Sequence, residues 1–143
     1  MMKYVKMTSA DFEFVARLEE EKSPETCKWL LEQLPWKVDM RHVSWSGNAC
    51  FVRLGGLAHK LPFENPVRVP SKGEVLVYPG NIPYLQMGGE FFMAWGPCSF
   101  ACQAGNLVGN HVLTITQGME RLEEYGRVVH LQGMQSMTVE LMD

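Results

Sequence analysis

The chain has 143 residues, 46% of them hydrophobic and 20% charged, with a formal net charge of −3. That length supports one domain, residues 1–143, with a sizeable core, and the balance excludes a disordered chain. The small negative charge excludes a basic surface for nucleic acid, and the apolar runs fall short of the roughly 20 residues that span a bilayer, so neither nucleic acid nor membrane is an expected partner.

Met1 to Asp11 lacks the apolar block of a secretory signal, and a cytoplasmic location is expected. Tyr4 to Met7 and Phe12 to Leu18 read as strands joined by the polar turn Thr8-Ser9-Ala10-Asp11. Phe12, Phe14, Ala16 and Leu18 alternate with Glu13, Val15 and Arg17, the pattern of a half-buried strand. The charged run Glu19 to Lys22 is a solvated link. Ser23 then reads as an N-cap, Pro24 as the first helical position and Glu25 as an early acid favoured by the helix dipole. Cys27, Leu30, Leu31 and Leu34 recur at helical spacing, and Pro35 stops the helix, giving Pro24 to Leu34.

Val38 to Trp45 and Ala49 to Leu54 read as a hairpin around Ser46-Gly47-Asn48. Asn65 to Val69 and Glu74 to Tyr78 are further short strands, and Pro79-Gly80-Asn81 is a turn. Tyr84 to Met87 and Glu90 to Ala94 are strand-like around Gly88-Gly89. Gly96 to Gly109 is Gly-rich and reads as a loop. Val112 to Thr116 is a strand, Gly118 to Tyr125 a helix, and Val128 to Leu131 and Met137 to Leu141 are closing strands. About eight or more short strands with two helices predict a mostly β fold, a barrel with two capping helices.

The four cysteines, Cys27, Cys50, Cys98 and Cys102, are expected as free thiols. Cys98 and Cys102 have C-x3-C spacing, but no second Cys/His pair follows at zinc-site spacing. His42, His59 and His130 lie on separate segments. No metal and no cofactor are expected. Nucleophile elbows, phosphate loops and dinucleotide glycine patterns are absent.

Three segments resemble cyclophilins. Ala49-Cys50-Phe51-Val52-Arg53-Leu54 is similar to the strand ending in Phe-His-Arg-Ile. Glu90-Phe91-Phe92-Met93 is similar to the Ser-Gln-Phe-Phe-Ile strand, and Ile115-Thr116-Gln117-Gly118-Met119 to Val-x-Glu-Gly-Met. The Gln-Gly-Gly-Asp motif has no counterpart in Gly55 to Lys60, and the family's pocket Trp has no match. In compact length and in its first helix the chain resembles the small prokaryotic cyclophilin-like proteins of unknown function.

The resemblance implies a cyclophilin-like barrel. It also implies a catalytic position at Arg53 and a pocket position at Phe91. Strand alternation would put Met93 and Trp95 on the face of Phe91. Tyr84 flanks the Pro79 to Pro83 rim, Glu90 is the carboxylate nearest that rim, and His111 follows Asn110 in a Gly-flanked segment. The expected ligand-binding set is therefore Arg53, Tyr84, Glu90, Phe91, Met93, Trp95 and His111.

Three functions follow. The first is a binding module for a small molecule or short peptide around Arg53 and Phe91. The second is an enzyme using Arg53 and His111. A prolyl isomerase would bond Arg53 to the proline amide nitrogen and lower the roughly 18–20 kcal/mol rotation barrier. The third is a homodimer or higher homo-oligomer assembled through apolar surface that includes Trp36 and Trp45. For each residue a plain structural role stands beside the functional one: a solvated Arg53, a hydrogen-bonded surface His111, a core Phe91.

Overall fold

The structure is a computed structural model, and it describes residues 2–80 and 88–143. In chain order it runs β1 (Tyr4–Ser9), β2 (Phe12–Leu18), α1 (Pro24–Gln33), β3 (Trp36–His42), β4 (Gly47–Gly55), β5 (Pro66–Val67), β6 (Glu74–Tyr78), β7 (Gly89–Cys98), β8 (Ala101–Cys102), β9 (Gly105–Asn106), β10 (Gly109–Gln117), a 3-10 turn (Met119–Arg121), α2 (Leu122–Gln132) and β11 (Gln135–Leu141). Among the described residues, eight strands pair in the order β2-β1-β11-β3-β4-β7-β6-β10, and β10 pairs back onto β2. Every pairing is antiparallel. The result is a closed eight-stranded barrel, as the many short strands predict, with β5 added beside β10.

Closure sorts side chains by parity, because successive residues of a strand face opposite sides of the sheet. Val5 and Met7, then Phe14, Ala16 and Leu18, point into the core. So do Cys50, Val52 and Leu54 of β4 and Phe91, Met93 and Trp95 of β7. Two aromatic groups join the helices to this interior. Tyr125 of α2 packs edge-on against Phe12 and Phe14, with centroids at 5.2 and 5.6 Å. Trp29 of α1 meets Trp36, which meets Phe91, at 5.9 and 5.4 Å. Burying each such side chain contributes on the order of 1.5–3 kcal/mol. Trp36 is thus half-buried against the core, whereas Trp45 is 60% exposed.

The helices depart from the sequence reading in two ways. Ser23 precedes α1, but its hydroxyl donates to the His111 carbonyl at 2.7 Å rather than accepting from the helix. The cap comes from Glu64, whose carboxylate accepts from the Glu25 and Thr26 amides at 3.2 and 2.7 Å and from the Thr26 hydroxyl at 2.6 Å. A distant carboxylate satisfies the free amides of the first turn as well as a local one does. Asn110 then fixes Glu64. Its Oδ1 accepts from the Glu64 and Asn65 amides at 2.9 and 3.2 Å, and its Nδ2 donates to Pro62 O and Thr26 Oγ1 at 2.8 and 3.1 Å. This fully buried amide uses all its capacity.

The second departure concerns Val128 to Leu131, expected as a strand. These residues are the last turns of α2. A short apolar run has no decisive period. The helical register is set by Leu122, Tyr125, Gly126 and Val129, which form its buried face. Gly118 makes the approach possible. It stands at φ +91° before the 3-10 turn, and a β-carbon there would crowd Glu13 O at 2.6 Å and Phe14.

Gly126 lets α2 sit close on the barrel, since a β-carbon there would overlap the Trp95 indole. Gly126→Ala should therefore push α2 from the barrel despite alanine's better helix propensity, with a loss of about 1–3 kcal/mol. Urea unfolding measures this. An unchanged or raised midpoint would show that the helix and Trp95 have room to adjust.

Candidate functional site

Parity divides the residues expected to share a pocket. Phe91, Met93 and Trp95 lie inside the barrel, with Phe91 and Met93 fully buried. Arg53 and Glu90 are ladder partners on β4 and β7, and both face outward. A pocket lined jointly by Arg53 and Phe91 is therefore not formed. Phe92, not Phe91, shares the outer face. Tyr84 lies outside the described residues.

His111 is occupied elsewhere. Its Nε2 lies 2.8 Å from Thr114 Oγ1, and that hydroxyl donates to Glu19 at 2.7 Å. The imidazole is therefore the donor in this pair. Arg17 holds the same Glu19 oxygen at 3.0 Å, and Glu74 stands 3.7 Å from the imidazole. Burial pushes the Glu19 carboxyl up, but the hydrogen bonds from Thr114 and Arg17 and the charge of Arg17 outweigh it, leaving Glu19 below its ordinary value. These groups satisfy one another, between β2, β6 and β10 and away from Arg53.

What does surround Arg53 is an outer-face cleft of about 410 Å³ between β3, β4, β7 and the β8–β9 hairpin. The Gly-rich segment expected as a loop builds one wall. Phe100 and Leu107 pack over Ala49, Leu76, Tyr78 and Phe92 in a second apolar layer, which fixes Ala101, Cys102 and Gln103 at the cleft. Ser46 pins the hairpin through bonds to Ala101 O and from Ala101 N, at 3.1 and 3.0 Å.

Two guanidiniums enter the cleft, Arg53 and Arg41. Sequence reasoning missed Arg41, which looks like any outward polar residue of β3. Only the register places it opposite Phe51. Arg53 lies over the Phe51 ring at 5.4 Å. Among the described residues neither arginine side chain makes a hydrogen bond or an ion pair. Burial pushes the Glu90 carboxyl up to about 7, against a smaller opposite effect of Arg53. Glu90 also accepts no hydrogen bond among the described residues.

His42 follows Arg41 on β3 and turns its ring the other way, toward Trp95 and α2. Its Nδ1 donates to Val43 O at 2.9 Å, and its Nε2 accepts from the Trp95 indole at 3.2 Å. The ring stacks on His130 at 4.2 Å. Burial, and then the charge of His130, push its pKa down. Both hydrogen bonds suit neutral imidazole.

A larger opening of about 570 Å³ lies between α1 and residues 56–62, lined by Glu25, Lys28, Glu32 and Lys60 among others. Its exposed charges alternate in sign and converge on no common point, so the outer cleft is the stronger candidate. The thiols take no visible part. Burial pushes Cys27 and Cys50 up to about 12 and Cys98 up to about 11. Among the described residues, no group of three or more His, Cys, Asp or Glu could hold a metal ion. No described helix is long and apolar enough to cross a membrane.

The profile of a protein family of unknown function, DUF3830, matches residues 5–141. No curated protein matches the sequence. Among solved structures, McbB in complex with tryptophan is similar over 95% of this chain, with a TM-score of 0.76 and 15% identity. The match spans only 44% of McbB. The solution structure of the hypothetical protein AF2241 from Archaeoglobus fulgidus is similar over 97% of this chain and 94% of that one, with a TM-score of 0.60 and 19% identity. These likenesses concern the fold.

The displaced carboxyl has a consequence for stability. Folded Glu90 titrates near 7, against an ordinary value of 4.5. The folded state thus holds the proton more tightly. Its contribution is fully present below about pH 4.5 and is lost as pH rises through 7. Glu90→Gln should raise stability at pH 8 by on the order of 1–3 kcal/mol, with little gain at pH 4.5. Denaturant melts at the two pH values check this, and an equal effect at both would place Glu90 in an ordinary solvated setting.

Proposed function

We propose, for a chain that belongs to the DUF3830 family, that it is a binding protein for a small organic carboxylate with an apolar body, held in the outer cleft of the barrel. The observation that carries this reading is the pair Arg41 and Arg53, which line one cleft and, among the described residues, close no ion pair. A guanidinium offers a planar fork of donors that matches a carboxylate, and two forks beside an aromatic ring make a more selective receptor than an exposed charge. Phe51 and Trp45 supply apolar surface for the ligand body. McbB, whose barrel is similar, was determined with tryptophan, itself a carboxylate on an aromatic body. That supports the choice of probe.

The barrel is read as cyclophilin-like on the order of its segments. Arg53 lies on β4, Phe91 on β7, and Gln117-Gly118-Met119 at the junction of β10 with the last helix. Binding is favoured over prolyl isomerisation, because an isomerase pocket of the cyclophilin kind needs Arg53 and Phe91 on one face.

3-Phenylpropionate and its neutral counterpart 3-phenylpropanol test the reading by titration calorimetry. The acid should bind and the alcohol should not. Arg41→Ala and Arg53→Ala should each weaken the acid about ten- to a hundredfold, the worth of one charge-assisted hydrogen-bonded pair. Equal binding of acid and alcohol, or wild-type affinity in both variants, would remove the arginines from the site.

A further inference from the structure

We propose that the ligand of this cleft is a free α-amino acid with an aromatic side chain, its carboxylate on Arg41 and Arg53 and its ammonium on Glu90. This rests on the carboxylate reading above and adds a substrate class to it. It begins from an arrangement that an empty receptor for a simple anion does not explain. Arg53 and Glu90 are direct partners across the β4–β7 ladder and line the same cleft. Opposite charges so placed ordinarily close an ion pair. Here, among the described residues, they do not: Arg53 lies over the Phe51 ring, and the half-buried Glu90 lines the cleft. A cation and an anion thus stand side by side, and among the described residues neither closes an ion pair.

Size and chemistry narrow the ligand. Antiparallel partners are about 4.5–5.5 Å apart at Cα. A ligand meeting both residues at once therefore carries its two charges close together. One carbon separates the ammonium and carboxylate of an α-amino acid, whereas the two termini of a peptide lie too far apart. A simple carboxylate would bring a second negative charge beside Glu90. An amino acid instead brings the cation that a desolvated carboxylate lacks. Its side chain would lie along Phe51 and the exposed Trp45.

The groups facing Glu90 set the pH behaviour. They are Arg53 from β4, Tyr78 from β6, Arg41 from β3, and Cys102 from β8. Glu90 has its carboxyl pushed up to about 7 by burial. An ammonium ligand requires the ionised form and releases the Glu90 proton on binding. Its affinity therefore falls as pH drops from 8 to 6, approaching tenfold per unit below 7. A bare carboxylate prefers neutral Glu90, so its affinity rises over the same interval.

Calorimetric titration of the full chain with phenylalanine, 3-phenylpropionate and phenethylamine, from pH 6 to 8, reads these opposite slopes. At pH 8 phenylalanine should bind at least tenfold tighter than 3-phenylpropionate, and phenethylamine weakest. Glu90→Gln should erase that advantage and flatten both pH profiles while 3-phenylpropionate still binds, which also reports that the variant is folded. Arginine-dependent binding of 3-phenylpropionate with phenylalanine no tighter, or phenylalanine unaffected by Glu90→Gln, overturns the amino-acid assignment and leaves the carboxylate reading standing. Binding of neither probe overturns both.

Discussion

The pairing of β10 with β2 is the constraint on which the rest depends. An open sheet could leave one face free for a ligand and reserve the other for packing. A closed one has an inside and an outside, and an eight-stranded barrel is just wide enough for its interior to be filled by side chains. Phe14, Phe91, Met7, Met40 and Met93 are fully buried there, and α1 and α2 bear on the two ends of β3 through Trp29–Trp36 and His130–His42. The cleft around Arg53 accordingly lies on the outer surface. The β8–β9 hairpin turns that outer face from a flat sheet into a cleft as Phe100, just before it, packs on Phe92 with tilted rings at 4.4 Å.

Asn110 plays the corresponding part at the α1 end. One buried amide ties the end of residues 56–65 to α1 and holds the carboxylate that caps the helix. In a dry setting each of these bonds is costly to leave unmade, so the network fixes a unique approach of helix to barrel. It also accounts for the neighbouring His111. That residue belongs to a second satisfied group with Thr114, Glu19 and Arg17, and its main-chain carbonyl receives Ser23. A histidine in a Gly-Asn-His segment invites a catalytic reading, but its surroundings give it structural work.

Features with a local physical cause were legible in the sequence. The alternation of Phe12, Phe14, Ala16 and Leu18 is the barrel wall seen one strand at a time, and Pro24 and Pro35 bracket α1 because proline acts on adjacent backbone. Gln117-Gly118-Met119 was legible because only glycine suits the turn between strand and helix there. The missed features arise from contacts far apart in the chain. Glu64 caps a helix 38 residues away from Thr26, and nothing near Ser23 announces it. The helical end of α2 depends on Gly126 meeting Trp95. The Arg53 position was legible and its companion Arg41 was not, since β3 and β4 pair only at Arg41–Phe51 and His42–Cys50. Phe91 and Glu90 were both singled out, but adjacent residues in a strand cannot share a face, and period-2 geometry alone separates them.

The electrostatics of the outer cleft follow from the same burial. Desolvation moves acids up and bases down, toward neutrality in both cases. Glu90 and His42 obey it on opposite faces of the sheet: one is drawn toward its protonated form, the other held as neutral imidazole by the Trp95 donor. Arginine escapes this effect, because its guanidinium stays charged in any protein setting. Near pH 7 the cleft therefore keeps the full charge of Arg41 and Arg53 while its acid is only partly ionised. A local positive field then persists on a chain whose net charge is −3. Such a field steers anions to one place on an otherwise repelling surface. On the reading proposed above, the partly ionised Glu90 beside it would be the place for a ligand's cation, and the cleft would then tell a zwitterion from a simple anion.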